Sequence, residues 1–117
     1  MLMGALAVFT LVAAMGLMMI RDVWRGQRVG AAYALVHAAA ALLGSALVIA
    51  AALDGDTRLY ANIGMAVVII LLGLAMGFAV KKGKTAPRLV LMAHAVLAVA
   101  CYGLLGFFAL NPDAVLM

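Results

Sequence analysis

Residues 59–80 read LYANIGMAVVIILLGLAMGFAV and run directly into KKGKTAPR at residues 81–88. The first stretch carries no charge, and at about 1.5 Å rise per residue a helix of that length crosses a hydrocarbon core of about 30 Å. The second stretch places Lys81, Lys82, Lys84 and Arg88 within eight positions, so the hydrophobic run stops abruptly at a basic loop. A backbone crossing a bilayer must satisfy its own polar groups, and a single uncharged run does so only as a helix. The same reading outward along the chain finds three more runs, at 2–20, 29–53 and 89–110. Together they predict an all-α integral membrane protein. Its form is a four-transmembrane-helix up-down-up-down bundle, occupying residues 1–117 as a single domain.

Bulk composition agrees. The chain is 70% hydrophobic and 10% charged, with a mean hydropathy of +1.28, far from the roughly 45–50% apolar and 25% charged profile of soluble domains. That balance excludes a disordered chain and a nucleic-acid module. One cysteine, Cys101, excludes an internal disulfide scaffold. Seven of the eight Lys and Arg residues lie in the loops 21–28 and 81–88, with Arg58 alone on the other side. The positive-inside rule then puts both basic loops in the cytoplasm and both termini outside, in what reads as a bacterial inner membrane. Trp24 fits an interfacial anchor. The net charge of +4 reports topology first and contact with anionic lipid second.

The chain also suggests an internal two-helix repeat, with halves at about 1–53 and 59–110. His37-Ala38 and His94-Ala95 each open a 17-residue block ending in Ala-Leu, with Ala41/Ala98 and Leu47/Leu104 matching between them. Ala14-Met15-Gly16 pairs with Ala75-Met76-Gly77, which implies a second-half loop four residues shorter than the first. Two halves of two spans share one orientation, so spans two and four become symmetry mates on diagonal corners of the bundle.

The chemical inventory is short. The chain has no Glu, and no Asp, Lys or Arg lies inside a span, so paired-carboxylate catalysis and acidic proton relays have no intramembrane material. Ionisable residues within spans are functional-site candidates because burying them without a partner is costly. His37 lies nine residues beyond Arg28 and His94 six beyond Arg88, which sets both at nearly one depth. Two imidazoles are too few for zinc, which takes three or four protein donors. They suffice for a haem, which brings four nitrogens of its own and needs two axial ligands. The positions one and two turns away are small, as a flat macrocycle requires: Gly30, Ala34, Ala41 and Gly44 around His37, and Ala98 and Cys101 around His94. Arg28, Arg88 and Lys84 stand ready as counter-charges for propionates. The ring N–H of each ligand is expected on the carbonyl four residues earlier, at Tyr33 or Val90.

With His37, His94 and their Ala/Gly surroundings in view, spans two and four resemble the small membrane cytochromes b of the cytochrome b561 type, four-helix bundles that hold haem between His residues on non-adjacent helices. Those proteins typically carry two haems and four ligand histidines. This chain has two histidines, so the resemblance implies one haem b per chain.

The expected function is therefore electron transfer in the membrane through one bis-His haem, with quinone or a redox protein as partner, and a carrier more than a substrate-converting enzyme. Two other readings stand beside it. One is a non-catalytic membrane subunit or assembly factor whose histidines hydrogen-bond between helices. The other is a small transporter or channel, which needs a polar path that Ser45, Asn62 and Tyr102 barely supply. Gly73-x-x-x-Gly77 is a helix-association motif that serves inside the bundle or in a homodimer.

Overall fold

A computed structural model describes residues 1–114; the last three positions of the 1–117 domain lie outside the described residues. Four helices account for nearly all of it: α1 (Leu2–Trp24), α2 (Ala31–Leu53), α3 (Tyr60–Lys81) and α4 (Arg88–Leu110), with one 3₁₀ turn at Thr57–Leu59 leading into α3. All four are long and apolar enough to cross a membrane. The predicted spans agree to within a residue or two, except that α1 continues past Ile20 to Trp24. Hydropathy marks where the apolar run ends, whereas the backbone marks where helical bonding ends, and Arg21 and Asp22 remain helical beyond that run.

Helices α1 and α3 stop in the same way. Gly26 (φ 71°) and Gly83 (φ 79°) adopt the left-handed conformation, which a side chain would penalise. Gly26 N–H then donates to the Val23 carbonyl and Gln27 N–H to that of Asp22; Gly83 and Lys84 repeat the pattern on Val80 and Ala79. Both are Schellman closures. Helices α2 and α4 start after residues in extended conformation, Gly30 and Pro87. Every one of these paired features is 57 residues apart, so the halves superpose without a gap and the basic loops are equal in length. The expected pairing of Gly16 with Gly77 across a shortened loop is therefore incorrect: Gly16 corresponds to Gly73. A local Ala-Met-Gly match outweighed the register that the helix boundaries impose.

Short loops make consecutive helices antiparallel, and α1 packs on α2, α3 on α4, and α1 on α4. The buried core lies toward the end bearing the 54–56 turn, where Ala5, Val48, Ala51, Ala52, Leu59, Leu105 and Phe108 cluster. Arg58 locks that end. Its guanidinium donates to both Asp56 carboxylate oxygens at 2.8 Å and to the Asn111 and Ala114 carbonyls at 3.0 and 2.9 Å, and lies over the Phe108 ring. Toward the basic end, Leu91 is the one buried apolar residue among the described residues.

The two halves are not perfectly symmetric. On the α1–α4 seam, Leu6 reaches 3.7 Å from where a Cβ on Gly106 would stand. Thr10 and Tyr102 share a 2.6 Å hydrogen bond there, and Arg88 lies over the Trp24 ring. The equivalent residues on the α2–α3 seam are Ile63 with Ile49 and Val67 with Ser45. Ser45 spends its hydroxyl on its own helix, at the Ala41 carbonyl. A branched side chain in place of Gly106 and the loss of a cross-helix donor explain why this seam is the looser one.

Candidate functional site

His37 and His94 each lie six residues into their helix, about 9 Å along the axis from its first residue. Both are half-buried. Each ring lodges against a glycine on the preceding helix. A methyl group placed on Gly73 of α3 would stand 3.2 Å from His94 Cε1, and one on Gly16 of α1 would stand 3.4 Å from His37 Cε1. In both halves the glycine precedes the histidine by 21 residues. Absence of a side chain there lets an imidazole approach the neighbouring backbone.

That approach exposes a carbonyl to the ring. His94 Nδ1 lies 2.8 Å from the Ile69 carbonyl oxygen, one helical turn before Gly73. A carbonyl can only accept, so the proton sits on Nδ1 and the neutral ring keeps its lone pair on Nε2. His37 reaches the equivalent carbonyl, that of Val12, one turn before Gly16, although its buried Nδ1 is less well aligned on it than Nδ1 of His94 is on Ile69. Neither Nε2 has a hydrogen-bond partner among the described residues, and neither is sealed inside the protein. The expected acceptors at Tyr33 and Val90 are thus replaced by Val12 and Ile69. A carbonyl across a glycine groove lies in the path of the ring.

The surrounding candidates are placed as follows. Ala34, Ala41 and Ala98 are half-buried, and Gly30 is exposed at the start of α2. Gly44 is buried beneath the Phe9 ring, whose nearest atoms lie 2.9 Å from where its Cβ would stand, so an aromatic side chain occupies that space. Cys101 is engaged with α3: Asn62 Nδ2 donates to the Cys101 carbonyl at 3.0 Å and reaches Sγ at 3.5 Å. Arg28 and Lys84 are exposed on the loops at the basic end, and Arg88 is held over Trp24.

Two surface cavities lie away from the histidines. One, of about 430 Å³, opens at the opposite end beside Met1, Met3, Asp54 and Arg58. The other, of about 240 Å³, lies on the outer face of α3 at Leu74, Gly77, Phe78 and Lys81. Gly73 and Gly77 therefore have separate roles: Gly73 faces His94, and Gly77 faces outward. Among the described residues no three His, Cys, Asp or Glu side chains gather in a metal-binding group. Asn62 is the buried polar residue that hydropathy concealed, at 2% exposure and with Oδ1 unpartnered.

No protein-family model matches the chain, and no curated protein or solved structure matches it either. The signal that finds Gly16, Gly73, Val12 and Ile69 from sequence is the ungapped comparison at 57 residues, which aligns each with its counterpart.

Proposed function

We propose that the chain is a b-type haem protein of the membrane, with one haem held between His37 Nε2 and His94 Nε2, that carries electrons to or from quinone or a redox protein. The observation that carries this reading is the division of labour within each ring. The Nδ1 edge is turned to the backbone of the preceding helix, and Nε2 is left free. A histidine serving only to join helices needs one nitrogen; the free nitrogens, each six residues into its helix, are what an axial pair requires. The donor chemistry suits the group: at His94 a carbonyl at Nδ1 sets the tautomer and raises the basicity of Nε2.

When bound, haem supplies one-electron redox chemistry, with a potential set by its axial ligands and their surroundings. The chain contributes the rest. Gly16 and Gly73 admit the rings, Ala34, Ala41 and Ala98 keep the neighbouring faces low, and Arg28, Lys84 and Arg88 offer positive charge to carboxylates at the basic end. The positive-inside rule assigns that end to the cytoplasm of a bacterial inner membrane. Gly77 and its neighbouring notch supply a face for a second copy.

The test is the optical spectrum of the full chain purified from cells supplied with haem. A Soret band with low-spin features, lost in His37→Ala and His94→Ala, is expected. A colourless protein overturns the proposal. One contact favours the alternative of a non-redox subunit with structural histidines: His94 joins α4 to α3 through Ile69. On that alternative the protein is colourless and His94→Ala still lowers its stability.

A further inference from the structure

We propose that the outer face of α3 at the basic end seats one anionic phospholipid, with an acyl chain in the notch at Leu74, Gly77 and Phe78 and the headgroup phosphate on Lys81. This site is separate from the histidine pair and does not depend on the haem reading.

Leu74, Gly77, Phe78 and Lys81 follow one another at spacings of three, one and three residues, so they share one face of α3. All four are exposed, and together they line the cavity of about 240 Å³. Gly77 makes the hollow, because a Cβ placed there meets nothing within 4 Å. From Leu74 this face runs about 10 Å along the axis to Lys81, the last residue of the helix. An apolar floor therefore ends on a cation.

The same positions of α1 lack both features. At the shared offset of 57 residues, Gly77 corresponds to Ile20, Phe78 to Arg21 and Lys81 to Trp24. Arg21 is paired with Asp22 at 3.6 Å, and the residue at that place in α3 is Ala79. Lys81, Lys82 and Lys84 make no ion pair among the described residues, and the segment 81–88 holds no Asp or Glu. Three cations beside the hollow are left without a counter-charge.

Lipid tails are as apolar as leucine, so within a bilayer the hollow alone selects nothing, and the charge at its mouth does. Each Lys or Arg near anionic lipid strengthens binding by about fivefold. A helix C-terminus disfavours anions, but here the carbonyls of Phe78, Ala79 and Val80 all accept backbone N–H bonds from the turn that follows. A second copy is the other occupant this face can take. A twofold axis along the membrane normal would set Lys81 against its own equivalent, and that repulsion favours the lipid.

The experiment titrates the full chain in detergent with phosphatidylglycerol and, separately, with phosphatidylcholine, and counts bound lipid by native mass spectrometry. One phosphatidylglycerol is expected to bind at least about fivefold more tightly than phosphatidylcholine. Gly77→Leu fills the hollow and leaves every cation in place, and should weaken that binding by about tenfold. Lys81→Gln should remove about fivefold of the preference and leave phosphatidylcholine binding unchanged. Ile20→Leu, at the corresponding place on α1, should match wild type, and far-UV circular dichroism checks that each variant keeps its helices. Equal affinity for the two lipids overturns the inference. So does phosphatidylglycerol binding that Gly77→Leu leaves intact, since the cations then act without the hollow. A dimer that Gly77→Leu splits, with lipid binding unmoved, overturns it in favour of the second copy.

Discussion

Replacing Gly73 by alanine tests whether the histidine grooves are specific. The added methyl would stand 3.2 Å from His94 Cε1 and 3.7 Å from Nδ1. The ring cannot retreat freely, because Nδ1 donates to the Ile69 carbonyl at 2.8 Å. Crowding a packed site costs about 1–3 kcal/mol, and an interhelical hydrogen bond in a membrane protein is worth about 0.6 kcal/mol. Against these, alanine favours a helix over glycine by about 0.8–1.0 kcal/mol. The balance is a net destabilisation of about 1 kcal/mol, roughly fivefold in the unfolding equilibrium. Gly77→Ala, one turn further on, meets nothing within 4 Å and keeps only the helix-forming gain. The two variants should therefore differ by about 2 kcal/mol, in opposite directions from wild type. Reversible unfolding in mixed micelles, followed by far-UV circular dichroism, measures the split, and the ¹⁵N shifts of His94 report whether Nδ1 stays protonated and bonded. If Gly73→Ala is as stable as Gly77→Ala and the His94 shifts are unchanged, the groove does not hold the ring as described.

Three further outcomes follow from the same contacts. Tyr102→Phe removes the 2.6 Å bond to Thr10 across the α1–α4 seam and should cost about 0.6 kcal/mol, up to about 1.7; Ser45→Ala, whose bond stays within α2, should be near neutral in the same unfolding assay. Arg58, chiefly by side-chain hydrogen bonding, holds the Asp56 carboxyl below its ordinary range. The Asp56 contribution to stability is then fully present above about pH 3.9 and lost as pH falls through the lower folded value; thermal melts between pH 6 and pH 3 should show that loss in wild type and not in Arg58→Gln. Gly83→Ala forces a side chain into a φ of 79° and should destabilise by about 1–2 kcal/mol, whereas Gly64→Ala, inside α3 with open space around it, should stabilise; thermal melts of the two variants side by side decide it.

Much of the architecture is legible in the sequence. The uncharged runs gave the helices because a bilayer leaves an isolated segment no other way to satisfy its backbone, and Gly26 and Gly83 marked where helices stop because they can take positive φ. His37 and His94 stood out for being ionisable where little else is. Their partners did not. Val12 and Ile69 act through carbonyl oxygens, which every residue has, so their side chains carry no sign of the role. Gly16 and Gly73 were hidden among 12 glycines and misregistered by a tripeptide match. Gly44 reads as open space until Phe9 is seen filling it, and Cys101 reads as a free small residue until Asn62 is found against it.

The sequence by itself determined four spans, the segregation of seven cations to one end and two histidines at one depth, because hydropathy, charge and helical rise are properties of the chain taken in order. Tertiary structure decided which way the rings turn. It set Nδ1 of His94 on a backbone carbonyl across a glycine, left the equivalent contact of His37 with Val12 less well aligned, and closed one seam of the bundle more tightly than its mate. Those choices depend on distances between helices, and side chains far apart in the chain, such as Leu6 with Gly106 and Thr10 with Tyr102, set those distances.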